Sequence, residues 1–126
     1  MKEIIGYLMA IQKIAKGIHY KVHGYNFYGD HLLCDRIVDN LDGFIDDIFE
    51  NYFLGHEEEA PQQREIVEIS LKNIPLIGDD IEEDFRLLDD LIFKCIGQIQ
   101  LMPTDELTAG DSDLLGRICS DLQKKH

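Results

Sequence analysis

The chain has 126 residues, of which 44% are hydrophobic, and its formal net charge is −13 at pH 7. This length suits a single domain, residues 1–126, that can bury a core without disulfide or metal staples. The acidic balance argues against DNA binding, because a phosphate backbone is bound by clustered lysine and arginine. No stretch approaches the roughly 20 apolar residues that cross a bilayer. No signal-peptide cleavage site is present near the N-terminus, so we expect a cytoplasmic protein.

Three cysteines, Cys34, Cys95 and Cys119, are widely spaced and odd in number. They form no CxxC pair and suggest no disulfide framework. We expect buried free thiols in a reducing compartment.

Hydrophobic residues recur at three- and four-residue spacing in the first half of the chain. They predict a first long helix over residues 2 to about 23, then a turn at 24–26 with Asn26 as a candidate cap. A second long helix is predicted from about 28 to 54, ending at Gly55. His56 follows beside three glutamates, and we expect an exposed acidic loop there; a metal-binding loop is the alternative.

The second half of the chain predicts three more helices. A short one occupies about 62–73, before Pro75. A third long helix opens at 78–80, runs to about 101 and stops before Pro103; its acidic start suits a helix N-terminus. The last helix starts near Thr108 or Asp111 and runs to the end. No segment has a strand pattern, so the predicted fold is all-α: an up-and-down four-helix bundle with one short connecting helix.

The second long helix carries two stripes when drawn as a helical wheel. The apolar stripe, which we expect to face the core, contains Leu33, Ile37, Leu41, Phe44 and Ile48. The second stripe contains His31, Asp35, Asp39, Asp42, Asp46 and Glu50. In so acidic a chain, such a stripe is often only a solvated face. The alternative is a surface of metal ligands.

The spacing within the acidic stripe favours ligands shared between two chains. His31 and Asp35 are four residues apart, as are Asp46 and Glu50, so each pair lies on one helical turn. The pairs are roughly 22 Å apart along a straight helix and cannot hold one metal together. They are, however, symmetric about residues 40–41. Two antiparallel copies would therefore bring the first pair of one chain against the second pair of the other, with Gly43 allowing close approach.

His19 and His23 are also four residues apart, near the end of the first helix. Such pairs are often surface or packing residues. The chain turns back after Gly24, however, and this return would bring His19 close to His31. Carboxylate and imidazole ligands without thiolate suit iron, manganese or zinc.

The stretch from His19 to Glu50 resembles the mini-ferritins called DNA-binding proteins from starved cells. That family has a His followed by Trp, then Gly-x-x-Phe, then His with an acid four residues on, and an Asp and Glu four residues apart. Here His19 is followed by Tyr20, and the remaining positions match without gaps at Gly24, Phe27, His31, Asp35, Asp46 and Glu50. The match covers about a quarter of the chain.

The resemblance implies a ferritin-like bundle, a homo-oligomer built on antiparallel second helices, and a hollow shell of twelve subunits. It implies iron(II) oxidation at two-fold interfaces, with peroxide favoured over dioxygen, followed by ferric iron storage and protection from oxidative stress. His19, His31 and Asp35 would come from one subunit, and Asp46 and Glu50 from its partner. Asp46 and Glu50 would be the main anionic ligands. Zinc or manganese could substitute for iron.

The sequence departs from the family in three respects. The family's Trp is Tyr20, the basic N-terminal tail is missing, and the last helix is short, with a Gln-Lys-Lys-His end. Hence we expect no DNA coating, and a dimer or smaller assembly is the alternative to a complete shell. Two functional alternatives are a non-catalytic helical protein with vestigial ligands and a different metal-dependent enzyme.

Overall fold

The computed structural model describes residues 1–22 and 27–126, apart from the side chain of Phe27. These residues are helical with no strand, which confirms the all-α prediction for the part of the chain described. Six α-helices, a π-helical segment and one short 3₁₀ turn occur in this order: α1 Lys2–Lys21, α2 Phe27–Val38, α3 Leu41–Asp47, the π segment Ile48–Phe53, α4 Gln63–Asn73, α5 Ile81–Gln100, the 3₁₀ turn Thr104–Glu106 and α6 Ala109–Lys125.

Helix α1 is the element around which the others are arranged. It packs against α2, α4 and α5, and also touches α3, while α6 packs against α5 and the π segment. Its buried residues recur at helical spacing and include Ile4, Leu8, Ile11 and Ile18. At Gly6 the neighbouring α4 comes so close that an added Cβ would collide with Ile69. The apolar face of α1 therefore forms the centre of the core.

The helix starts predicted in the second half of the chain are confirmed. Asp80 caps α5 by accepting hydrogen bonds from the backbone N–H groups of Glu82 and Glu83. Thr108 caps α6 and forms a reciprocal capping box with Asp111. The short helix α4 lies within one residue of its predicted bounds.

Other details of the prediction differ or lie outside the described residues. Helix α1 ends at Lys21, two residues before the predicted end. The predicted turn at 24–26, with Asn26 as its cap, lies outside the described residues.

The prediction of one continuous helix over 28–54 is wrong. Helix α2 ends at Val38, and α3 begins at Leu41 after Asn40, which has a left-handed backbone with φ 71°. A second irregularity follows, because the chain passes from α3 directly into the π segment, whose end is marked by a hydrogen bond from Leu54 N–H to Phe49 C=O. A single wheel with a constant angle per residue therefore does not describe this region.

Contacts from α6 explain why the helix breaks at this place. Lys125 donates a 2.5 Å hydrogen bond to the backbone carbonyl of Asp39 and forms an ion pair with Asp121. Asn40 in turn donates a 3.4 Å hydrogen bond to Asp121. A cation at the carbonyl end of α2 satisfies an acceptor that helix termination leaves open. Since these partners are distant in sequence, local propensity does not reveal the break.

The predicted core face of the second helix is confirmed in part. Ile37, Leu41 and Ile48 are buried, and Phe44 is half-buried against the core. Leu33, however, is 40% exposed, so its assignment to the core is wrong. Helices α2 and α5 leave a crevice between them, and Leu33 lies on its wall rather than beneath a neighbouring helix.

His56 is not part of an exposed loop, contrary to expectation. Its Nε2 lies 2.5 Å from Oδ2 of Asp111, its ring stacks on Tyr52 at 4.5 Å between centroids, and it is half-buried. Burial alone would raise the pKa of Asp111, but hydrogen bonds from His56 and from Thr108 outweigh it and hold the pKa below its usual value. This His56–Asp111 contact fastens the segment after the π segment to the start of α6.

Two further predictions concern an acidic side chain at the start of α5 and the three cysteines. Asp84, expected only to favour the start of a helix, is buried, and its Oδ1 accepts a 3.0 Å hydrogen bond from Gly78 N–H. Cys34 and Cys95 are buried free thiols as predicted, whereas Cys119 is half-buried. None of the helices described has both the length and the apolar content to span a membrane.

Substitutions at Asn40 test the left-handed break. Asn40→Ala should lower the free energy of unfolding by about 1 kcal/mol, because alanine tolerates positive φ less well than asparagine and the hydrogen bond to Asp121 is lost. Asn40→Gly loses the same side-chain hydrogen bond without that strain, so it should be the milder change. Urea denaturation measures both. Equal losses for the two variants would show that the backbone conformation at residue 40 carries no strain.

The His56–Asp111 contact predicts a particular acid dependence. Because the folded-state pKa of Asp111 lies below its ordinary value of 3.8, its charge stabilises the fold above that value, and the benefit disappears as pH falls through the folded-state pKa. Asp111→Asn should therefore lower the melting temperature at pH 7, and the gap from the parent should shrink between about pH 5 and pH 3.

The exposed Asp113→Asn provides the control, since this carboxylate only pairs with Arg117 on the surface. A gap between parent and Asp111→Asn that stays constant throughout the acid range would contradict the assignment.

Candidate metal centre

Three of the five predicted ligands come together in one chain. His19 near the end of α1 and His31 and Asp35 on α2 each offer a ligand atom, and these atoms all lie within 4.8 Å of one another. The four-residue spacing places His31 and Asp35 on one face of α2. The packing of α1 on α2 then brings His19 to that face. We call these three residues the half-site.

Two polar atoms of the half-site lie close together, although no hydrogen bond joins them. His19 Nδ1 lies 3.2 Å from Asp35 Oδ1, yet this buried nitrogen makes no hydrogen bond to any described residue. The distance suits an ion pair, but the direction does not suit an N–H donor. A cation between the two atoms would use the nitrogen lone pair and the carboxylate charge together.

The two imidazoles of the half-site are nearly stacked. Their ring centroids are 3.6 Å apart and the ring planes are tilted by 37°. Two protonated imidazoles so close would repel each other, whereas neutral imidazoles leave a lone pair for a metal. The two rings therefore place two candidate nitrogen donors side by side.

Cys34 lies on the same helix but is unsuited to be a ligand. Burial, aided by the charges of Asp30 and Asp35, raises the pKa of its thiol to about 11. Its sulfur is also not among the described ligand atoms that come together at the half-site. The available donors are nitrogen and oxygen, which suits iron, manganese or zinc.

Exposed side chains with large apolar surfaces lie close in sequence to the half-site residues. Tyr20, beside His19 in sequence, is 78% exposed, and its ring meets that of His19 edge-on at 5.4 Å. Tyr28 and Leu32, on the first turns of α2, are 70% and 48% exposed. Large exposed apolar groups near a polar cluster are typical of a surface that another protein covers.

Asp46 and Glu50 do not join this cluster in the single chain. Asp46 lies on α3 and Glu50 in the π segment, and both are exposed. Neither side chain makes a hydrogen bond or ion pair to any described residue. Their separation from the half-site agrees with the expectation that one chain cannot bring all five together. The straight-helix symmetry about residues 40–41 fails, however, because the helix breaks at Asn40.

Two predicted features lie elsewhere. His23 is outside the described residues. Gly43, expected at a close helix contact, has open space around its Cα and borders an open groove of about 850 Å³ between α3 and α6. None of the five predicted ligands lines this groove, so the groove and the candidate metal ligands are separate features.

Sequence reasoning missed the partner of one histidine. His56 was expected in solvent, but it bonds to Asp111, which is 55 residues away in the chain. No local pattern around His56 indicates this pairing. The one available signal is the spacing of Thr108 and Asp111 at the start of α6, which suits a capping box and therefore a carboxylate that is fixed at the helix start.

Metal binding by the isolated chain should depend on the half-site. His19→Ala, His31→Ala and Asp35→Ala should each weaken cobalt(II) binding by at least about tenfold, the loss seen even for residues that only support a ligand. Titration calorimetry with cobalt(II) checks this. Asp39→Ala is the matched control, because it removes an exposed carboxylate of the same stripe outside the cluster. Equal weakening by the control would indicate nonspecific attraction to an acidic surface.

Comparison with protein-family models, with curated proteins and with solved structures produced no match to this chain. The likeness to mini-ferritins therefore continues to rest on the residues between His19 and Glu50.

Proposed function

We propose that this protein binds and oxidises iron(II) at sites shared between two copies of the chain, within a ferritin-like helical bundle of the mini-ferritin kind. The observation that carries the proposal is the half-site: His19, His31 and Asp35, which the sequence pattern singles out, have ligand atoms within 4.8 Å of one another. A half-site with three ligands leaves coordination positions open for further ligands or an oxidant.

A second copy would supply the missing negative charge. Asp46 and Glu50 are exposed and unpaired within the described chain, and exposed tyrosine and leucine side chains that a partner would cover lie close in sequence to the half-site residues. In an isologous dimer each chain gives its half-site to one centre and its two acids to the other. Because the helix bends at Asn40, the partners would meet as two bent helices rather than two straight ones.

The chemistry follows from the ligands. Carboxylates stabilise iron(III) more than iron(II), because the higher charge is attracted more strongly. Two iron(II) ions each give one electron to hydrogen peroxide, the O–O bond breaks, and two protons complete two water molecules. The chain contributes anionic oxygens that favour the oxidised product and imidazoles that hold the incoming ion. Ferric iron storage and protection from peroxide would follow if the assembly encloses a cavity.

A mononuclear metal enzyme is the second candidate. The same half-site is a set of two histidines and one carboxylate, which is typical of iron(II) sites with open positions for substrate and oxygen. In that case one chain would suffice, and Asp46 and Glu50 would be an ordinary solvated surface.

Removing both acids tests the shared site. Asp46→Ala combined with Glu50→Ala should abolish the ferric absorbance that develops when iron(II) and peroxide are added. Glu82→Ala combined with Asp90→Ala is the matched control, because it removes the same charge from the exposed side of α5. Iron oxidation at the parental rate by the first variant would exclude these two residues as ligands.

Mixing two inactive variants makes the test specific to the interface. His31→Ala chains refolded together with the Asp46→Ala/Glu50→Ala chains should recover about a quarter of the parental activity, because half of the random dimers contain one intact centre of two. If the acid variant alone is fully active and mixing adds nothing to its activity, the mononuclear enzyme is favoured instead.

A further inference from the structure

The π segment Ile48–Phe53 holds Glu50 in a backbone geometry that needs outside support. A π-helix is rare, is less favourable than an α-helix and often occurs at functional sites. Its persistence here requires contacts that would be lost if the segment became α-helical. The question is therefore which residues hold the end of this segment in place.

The C-terminal end of the segment is fixed by its own turn. Gly55 packs so closely on the Asn51 carbonyl that a Cβ there would collide with it. The backbone N–H of His56 donates a 3.0 Å hydrogen bond to Tyr52 C=O, and that of Glu58 donates a 2.9 Å hydrogen bond to Phe53 C=O. These contacts make a compact turn but do not attach it to another helix.

His56 adds a hydrogen-bonded link to α6, beside the direct packing of the π segment on that helix. Its ring stacks on Tyr52 within the segment, while its Nε2 contacts the buried carboxylate of Asp111 on α6. Because a carboxylate only accepts hydrogen bonds, the imidazole Nε2–H is the donor. Asp111 is itself fixed by Thr108, whose N–H donates to the same oxygen at 3.0 Å. The imidazole thus links the π segment to a rigid helix start.

We infer that His56 is a positioning residue: by tying the π segment to Asp111, it holds Glu50 in the direction needed to bind metal across the subunit interface. This inference rests on the proposed function, since it requires Glu50 to be a ligand. Without the link, the segment can relax toward α-helical geometry, which turns the side chains within it relative to α3. Glu50 would then point away from the partner's half-site.

The test compares cobalt(II) binding by assembled variants, followed by titration and by the visible absorption bands that report ligand geometry. His56→Ala should weaken cobalt(II) binding about tenfold and give bands like those of Glu50→Ala. Combining the two substitutions should weaken binding no further than Glu50→Ala alone, because both remove the same ligand. His56→Gln retains an N–H donor and should restore affinity and spectrum.

Two further variants separate positioning from stability. His56→Leu keeps bulk against Tyr52 but cannot donate to Asp111, so it replaces His56→Ala if the alanine variant does not fold. Thr108→Ala weakens the cap of α6 but leaves the His56–Asp111 contact, and it should lower the melting temperature without changing the cobalt(II) spectrum.

The outcomes separate the positioning role of His56 from the proposed metal site shared between two chains. If Glu50→Ala weakens binding but His56→Leu leaves affinity and spectrum unchanged, the positioning role is wrong and the shared site stands. If Glu50→Ala binds cobalt(II) like the parent, the shared site is wrong and the positioning role falls with it.

Discussion

The burial of α1 is the constraint on which the rest of the structure depends. Its apolar face is covered by α2, α4 and α5, so these helices must lie along it to remove that surface from water. This packing has a chemical consequence at one end of the helix. His19, near the end of α1, is brought against His31 and Asp35 on α2. The candidate metal centre is therefore a by-product of core packing.

This packing also buries polar atoms at the half-site, which is unfavourable unless they have partners. Two imidazoles lie 3.6 Å apart between ring centroids, and one ring nitrogen is buried without a hydrogen bond to any described residue. A buried polar atom without a partner is unfavourable unless something else satisfies it. A bound cation would do so and would also separate the carboxylate from the imidazole nitrogen. Metal binding and stability should consequently be coupled in this protein.

Helix α6 controls the shape of the acidic region from a distance. At its C-terminal end, Lys125 and Asp121 hold the break beside Asn40. At its N-terminal end, Asp111 holds His56 and with it the end of the π segment. The stretch that carries Asp46 and Glu50 thus lies between two anchors on one helix. This explains how a region with two irregularities can keep a defined conformation.

The sequence by itself determined the all-α class, most helix bounds and the pairing of His31 with Asp35, because each depends on periodicity or capping among neighbours in the chain. It also indicated His19 as a companion, since the chain must turn back after the first helix. Only the tertiary structure decided the break at Asn40, the π segment and the burial of His56 and Asp84. The break at Asn40 and the burial of His56 depend on partners tens of residues away, Lys125 and Asp111, which no local pattern encodes.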